Sequence, residues 1–348
     1  MRKSPNLIKM KRHNNLYDKI CDIKNIRLAY NRARQGKNWQ RAIKAFMIDT
    51  EGNLLKIQKI LLNRAFKPSP YTVKQIYVPK TRDIYIVPFN PDRVIHHALM
   101  NVLEPIYSKL FIFDSYACII GKGIHRGSKR TMEFVRKDKY CLKCDIAKFY
   151  PSMDHDILFT IIQRKIKCKD TLRLIHDIIY SIDGGKNVPI GNYTSQWFGN
   201  LYLHEIDMYA KHVLKMKHYV RYCDDFLFFH NDKAYLKKCA VLIRKFAAEK
   251  LALRLSKCAL FPVSQGVDFL GYRHFPNYVL LRKSTATRVK RRLKLLPILF
   301  KKGRITLEQF RSSIASSFGW MKWANTYNLG LKLQIGKLME MVNGLKAA

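Results

Sequence analysis

Two apolar, aromatic-rich runs, 217–222 and 226–230, are joined by only Cys223-Asp224-Asp225. Each run has the length of a strand, and so short a connection leaves one arrangement, an antiparallel hairpin with acids at its turn. A second acid, Asp145, ends another strand-like run that starts at Tyr140. Carboxylates in such places are costly unless cations accompany them. Acids are also scarce here: 25 Asp and Glu stand against 65 Lys and Arg, a formal charge of +40 on 348 residues. At 48% hydrophobic and 12% aromatic, the chain is too apolar to be a disordered polybasic tail. A folded body with this charge repels itself until a polyanion neutralises it, which points to nucleic acid. A ribosomal or membrane-surface role is the blander reading of the same charge.

The pattern along the chain is mixed helix and strand. Residues 14–66 read as helices with basic faces, and Lys67-Pro68-Ser69-Pro70 ends them. Residues 71–78 and 84–89 read as a strand pair with cations at its tip, and Pro91-Asp92 opens a helix. After the 140–146 strand, helices are expected over 153–166, 169–181, 194–214 and 232–251, and strands over 258–263 and 267–275. Between 282 and 304 there are ten Lys or Arg and no acid, read as basic helices with a leucine face. The eight cysteines include one CxxC, Cys141 and Cys144, with no second pair or nearby histidines to complete a zinc site. The first residues lack the apolar core of a signal peptide, and no apolar stretch approaches the ~18 residues of a membrane span. A cytoplasmic protein with reduced thiols is expected.

Two carboxylate sites at strand ends invite a shared divalent metal. Mg²⁺ favours one or two carboxylates plus substrate phosphates, and a pair of such ions would activate a 3′-hydroxyl and stabilise a pyrophosphate leaving group. A polar hairpin turn is the competing reading of Asp224-Asp225 taken alone.

The neighbouring residues bring in a family. Tyr222-Cys223-Asp224-Asp225 resembles the YxDD box of reverse transcriptases, and Asp145-Ile146-Ala147-Lys148-Phe149-Tyr150 resembles their first palm motif, 79 residues earlier by aspartate spacing. In the family's order, Arg82–Pro88, Asp92–Leu99, Ser115–Cys118 with Gly121–His125, Pro189–Gln196 and Asp268–Tyr272 resemble the finger, template-and-nucleotide and primer-grip motifs. The set spans about residues 70 to 282. The resemblance implies an α+β right-hand polymerase: a basic helical N-terminal extension (1–66), fingers (67–140), a palm of antiparallel sheet plus helices with finger-like insertions (141–275) and a helical thumb (276–348).

It also implies roles. Asp145, Asp224 and Asp225 are the expected catalytic acids. Asp145 and Asp224, with the Ile146 carbonyl, would hold two Mg²⁺, for which Mn²⁺ can substitute. Asp225 is expected to assist, because adjacent strand residues face opposite ways. Lys80 and Arg82 on the finger turn suit a triphosphate clamp, Arg82 the more so for its bidentate guanidinium. Tyr150 would be the steric gate against a ribose 2′-hydroxyl, with a core aromatic as the alternative. Ile190 stands where a glutamine would contact the incoming nucleotide, Gly191 would let the backbone approach it, and Ser195-Gln196 would sit near the template. Lys257 would protonate pyrophosphate. Phe269, Leu270, Gly271 and Tyr272 would grip the primer, and Arg288, Arg291 and Arg292 would lie along an RNA–DNA hybrid.

Ile190-Gly191 and Ser195-Gln196, with the tail around Gly319–Leu329, resemble the enzymes of diversity-generating retroelements. That implies error-prone copying at template adenines, a structured non-coding RNA template, dNTP substrates and a small basic accessory protein in a bacterial host. Ile119, where relatives usually carry Arg, keeps open a phage-defence reverse transcriptase using its own non-coding RNA. A catalytically idle RNA-binding module is the reading from another class.

Overall fold

The computed structural model describes residues 12–77, 81–334 and 336. Its first helices are α1 (Tyr17–Cys21), α2 (Ile23–Arg34), α3 (Arg41–Ile48) and α4 (Thr50–Leu62), and α2 and α4 begin where a short acid caps them. Asp22 accepts from the Lys24 N–H at 2.8 Å and Asp49 from the Gly52 N–H at 2.9 Å. α2 buries Ile26, Ala29, Tyr30 and Ala33, one helical stripe, and turns Lys24, Arg27 and Arg32 outward. A two-stranded hairpin follows, β1 (Thr72–Ile76) with β2 (Arg82–Ile86).

The next helix, α5 (Val94–Tyr107), starts after a wide turn over Phe89–Arg93, slightly later than the Pro91-Asp92 pair predicts. Asp92 instead is buried, accepting the Ser69 N–H and hydroxyl at 2.8 and 2.7 Å. Then come α6 (Ile124–Lys137), β3 (Tyr140–Ile146), α7 (Phe149–Ser152), α8 (His155–Gln163), α9 (Lys169–Ile179) and α10 (Tyr193–Met208). They are followed by β4 (His218–Tyr222), β5 (Asp225–His230), α11 (Lys233–Leu251) and β6 (Leu255–Pro262).

β4, β5, β3 and β6 lie side by side in that order, all antiparallel. Strand alternation divides the sheet's two faces between two cores. Leu142, Cys144, Phe226 and Phe228 pack with α5, α10 and α11 in a core that reaches back through α1–α4. Cys141, Leu227 and Phe229 pack on the other face with Phe134 of α6. The three-residue step of the CxxC thus sends Cys141 and Cys144 to opposite faces, where they cannot share a metal.

The 267–275 run, expected as one strand, is two: β7 (Val267–Phe269) and β8 (Tyr272–His274), paired through Phe269 and Tyr272. Leu270 and Gly271 both have positive φ, 55° and 85°, the conformation of a type I′ loop. A third strand, β9 (Val279–Leu281), completes this small sheet. It leads into α12 (Lys283–Lys301), α13 (Leu307–Met321) and α14 (Tyr327–Lys332). α12 buries Thr285, Val289, Leu293 and Leu296, and α13 packs Phe310 and Ile314 against that stripe. Among the described residues, no helix is long and apolar enough to cross a membrane.

Candidate active site

The β4–β5 connection is tighter than the sequence suggests. Tyr222 pairs with Asp225, so the loop is only Cys223 and Asp224, with Cys223 at φ 51°. Asp225 is therefore the first strand residue. On the neighbouring strand its partner is Asp145, and Asp145 in turn pairs with Lys257 of β6. Directly paired residues share a face, so one rung carries Asp225, Asp145 and Lys257, with Asp224 beside it in the loop.

This rung concentrates negative charge. Burial, reinforced by repulsion from Asp145 and Asp224, raises the Asp225 carboxyl from its ordinary range to about 6, while Lys143 pulls it the other way. The Lys143 ammonium lies 3.1 Å from Asp225 Oδ2 and donates to the Asp268 carbonyl at 2.6 Å, tying the four-stranded sheet to the β7–β8 hairpin. Asp145 accepts the Ser256 hydroxyl at 2.7 Å. Asp225 Oδ1 is buried without a hydrogen-bond partner. Repulsion among these acids raises Asp225 against the pull of Lys143, and a hard divalent cation fits such a donor set. Among the described residues no group of three His, Cys, Asp or Glu side chains is gathered to hold a metal by itself. Two carboxylates, a main-chain carbonyl and substrate phosphates match what Mg²⁺ takes.

Below the loop is a buried network that sequence reasoning missed. Arg221 and Asp207 are both 0% exposed. The guanidinium grips Asp207 in two parallel bonds of 2.7 Å, and donates to Asn200 Oδ1 at 3.1 Å and the Cys223 carbonyl at 3.2 Å. Tyr219 adds a 2.7 Å bond to Asp207. α10 thus clamps the loop that carries Asp224. The available signal was an Arg among apolar strand residues and an Asp on the apolar stripe of a helix, each needing the other.

Phe149 packs inward at 3% exposure while Tyr150 is half-buried. Burial raises the Tyr150 phenol well above its ordinary range, with Cys223, Cys118 and Asp224 adding to it. Gly199 makes room for it: a Cβ there would stand 3.3 Å from both the ring and the hydroxyl. Gly191, at φ 127°, lies close against the β1–β2 hairpin, since a Cβ there would lie 2.3 Å from the Tyr85 carbonyl oxygen. The Ile190 carbonyl accepts the Tyr85 N–H at 2.7 Å, which brings the β1–β2 hairpin against this loop. Ser195 is buried, its hydroxyl donating to the Pro189 carbonyl at 2.7 Å, and Gln196 is the exposed member of that pair.

Arg82 begins β2 and is exposed, as is Lys257. Lys80 lies outside the described residues, as do basic residues 2–11. Phe269 and Tyr272 are buried, the Tyr272 hydroxyl donating to the Trp320 carbonyl at 3.2 Å, so the tip of that hairpin is Leu270-Gly271. Arg288, Arg291 and Arg292 are exposed on α12, with Arg292 donating to Ser313 at 3.1 Å.

Comparison with known proteins gives a consistent picture. The family model described as "Reverse transcriptase (RNA-dependent DNA polymerase)" matches residues 78–274, more than half of the chain. The putative COX1/OXI3 intron 2 protein of Saccharomyces cerevisiae is 22% identical over 207 residues, 55% of this chain and 24% of that protein. Protein YkfC of Escherichia coli K12 is 24% identical over 264 residues, 61% and 68% of the two chains. The group II intron-encoded protein LtrA of Lactococcus lactis is 25% identical over 180 residues, 48% and 30% of the two. This chain therefore spans well under half of two of these relatives. A solved telomerase from Candida albicans, in complex with a fragment of telomeric RNA, superposes with a TM-score of 0.46 at 12% identity, over 81% of this chain and 62% of that one.

Proposed function

This chain belongs to the reverse transcriptase (RNA-dependent DNA polymerase) family, and from that premise we propose that it makes cDNA from a dedicated structured non-coding RNA, with errors concentrated at template adenines. The observation that carries the polymerase reading is the rung Asp225–Asp145–Lys257 beside Asp224. Carboxylates and a lysine at one end of one sheet support metal binding and a proton for the leaving group.

In this reading residues 67–140 act as fingers, 141–275 as palm and 276–348 as thumb. Asp145, Asp224 and the Ile146 carbonyl would hold the ions, and Asp225, beside Lys143, would assist them. When bound, the divalent pair supplies charge neutralisation at the reacting phosphate and lowers the pKa of the primer 3′-hydroxyl. Arg82, with Lys80, holds the triphosphate. Tyr150 fills the space of a ribose 2′-hydroxyl. Lys257 gives a proton from Nζ to the departing pyrophosphate. Leu270 and Gly271 meet the primer backbone, and Arg288, Arg291 and Arg292 meet the phosphates of the hybrid.

Ile190 supports the diversity-generating subtype, because an aliphatic side chain gives the nucleotide no hydrogen bond and so weakens discrimination. Primer extension with Mg²⁺ on the copurified RNA tests the enzyme reading, with Asp224→Asn as control. Extension by the wild type that the variant lacks supports it; no extension by the wild type refutes it. Sequencing the cDNA tests the subtype, since adenine errors no commoner than others refute it. Ile119 favours a second reading, phage defence, which the absence of a template-repeat and variable-repeat pair beside the gene would support.

A further inference from the structure

A two-stranded hairpin alone is at best marginally stable in water, and β1–β2 is mostly exposed. What holds it in place is therefore a small set of contacts, and these converge on the loop carrying Ile190. The Asn187 amide donates to the Tyr85 hydroxyl at 3.0 Å, and the Tyr85 N–H donates to the Ile190 carbonyl at 2.7 Å. The Asn192 amide donates to the Tyr71 hydroxyl at 2.9 Å, and that hydroxyl lies 2.8 Å from Ser181 Oγ. The Tyr71 and Tyr85 rings meet edge to face at 5.7 Å. Gly191 closes the joint, since any side chain there would strike the Tyr85 carbonyl.

Arg82 rides on the same hairpin, three residues before Tyr85 and so about 10 Å along the strand. The hairpin carries the proposed triphosphate clamp and the loop carries the proposed base-side residue. We infer that Tyr85, braced by Asn187, is a specificity-positioning residue: it sets the phosphate clamp at Arg82 and the nucleotide-facing Ile190 in one register. The inference rests on the reading of Ile190 and Arg82 as nucleotide-facing. In this role Tyr85 acts through Ile190 and the hairpin, which its N–H and hydroxyl hold.

Tyr85→Phe removes the hydroxyl and keeps the ring and its contact with Tyr71, so the fold survives. Asn187→Gly removes the same bond from the other side and suits the positive φ of 84° at that position. Both variants, with wild type and Ile190→Gln, are assayed by single-nucleotide incorporation on a defined primer–template. The readouts are KM and kcat for dNTP, the error ratio opposite adenine, and primer–template affinity by fluorescence anisotropy.

Loss of one hydrogen bond is expected to raise KM for dNTP about fivefold in either variant. The error ratio should shift, with primer–template affinity unchanged. An unchanged KM and error ratio in Tyr85→Phe, while Ile190→Gln alters the errors, overturns the positioning role alone. So does a loss of primer–template affinity in step with KM, which marks general loosening. An error ratio that Ile190→Gln leaves unmoved removes the reading of Ile190 and the inference with it.

Discussion

Arg221→Met should cost this protein about 3–5 kcal/mol of stability, because it leaves a fully buried Asp207 with Tyr219 as its one remaining hydrogen-bond donor from this network. The methionine fills much of the guanidinium's volume, so the loss is one of charge and hydrogen bonds. Asp207→Leu should cost a similar amount, since it leaves the buried guanidinium with no charge to match it. The informative protein is the double variant, Arg221→Met with Asp207→Leu. It removes both charges together, and replacing a buried pair by apolar groups is near neutral. Its cost should be about 2–4 kcal/mol for the unpaired Asn200 and Cys223 oxygens and the Tyr219 hydroxyl, which loses its Asp207 acceptor, well below the sum of the single changes. Urea unfolding followed by tryptophan fluorescence measures all four proteins, and the coupling energy should reach several kcal/mol. The chain-extension rate of the double variant should still fall, because nothing then holds the Cys223 carbonyl. A cost under 1 kcal/mol for Arg221→Met, or a double variant equal to the sum of the singles, would refute this account.

Three further outcomes are expected. Tyr150→Val should raise ribonucleotide incorporation relative to deoxyribonucleotide on the order of tenfold, read by competitive incorporation; unchanged selectivity removes the gate. Replacing Arg288, Arg291 and Arg292 by Gln should weaken hybrid binding whatever the sequence, and reduce the log–log salt slope by about three; an unchanged slope in a filter-binding titration would exclude these phosphate contacts. Acid should destabilise the fold in a defined window. Burial lowers His96 to about 3, and His97 and His274 to about 4. Groups with a depressed folded pKa give stability that is full above the unfolded value near 6.5 and lost as pH falls through the folded one. Each histidine should therefore cost up to about 3 kcal/mol by pH 4. His274→Gln should flatten the fall in thermal midpoint between pH 6.5 and 4, and an equally steep fall would assign the loss to other groups.

Much of the fold is legible locally. β3, β4, β5, α9 and α11 lie within a residue or two of where alternation and helical spacing put them, because one buried face imposes a period on each. The 267–275 run misleads because its apolar residues continue across Leu270-Gly271, and a type I′ loop needs two positive φ angles that an aliphatic residue does not advertise. Asp224 and Asp225 were legible as acids in an apolar hairpin. That Asp225 opposes Asp145 was not, since register depends on which residues of two distant strands pair.

The sequence by itself determined the chemistry on offer: a basic, apolar chain, few acids, and an ordered set of motifs that names a family. Those are properties of residue type and spacing, which the chain carries unfolded. Only the tertiary structure decided which groups act together. Arg221 and Asp207 lie 14 residues apart and Lys143 and Asp225 82 apart, and a charge in an apolar run shows that it needs a partner without showing which one. Their pairing follows from the desolvation of charge, a cost that exists only once the core closes around them. Gly191 shows the same division. Its glycine is explained by the backbone of Tyr85, more than 100 residues earlier, packed against it in the folded chain.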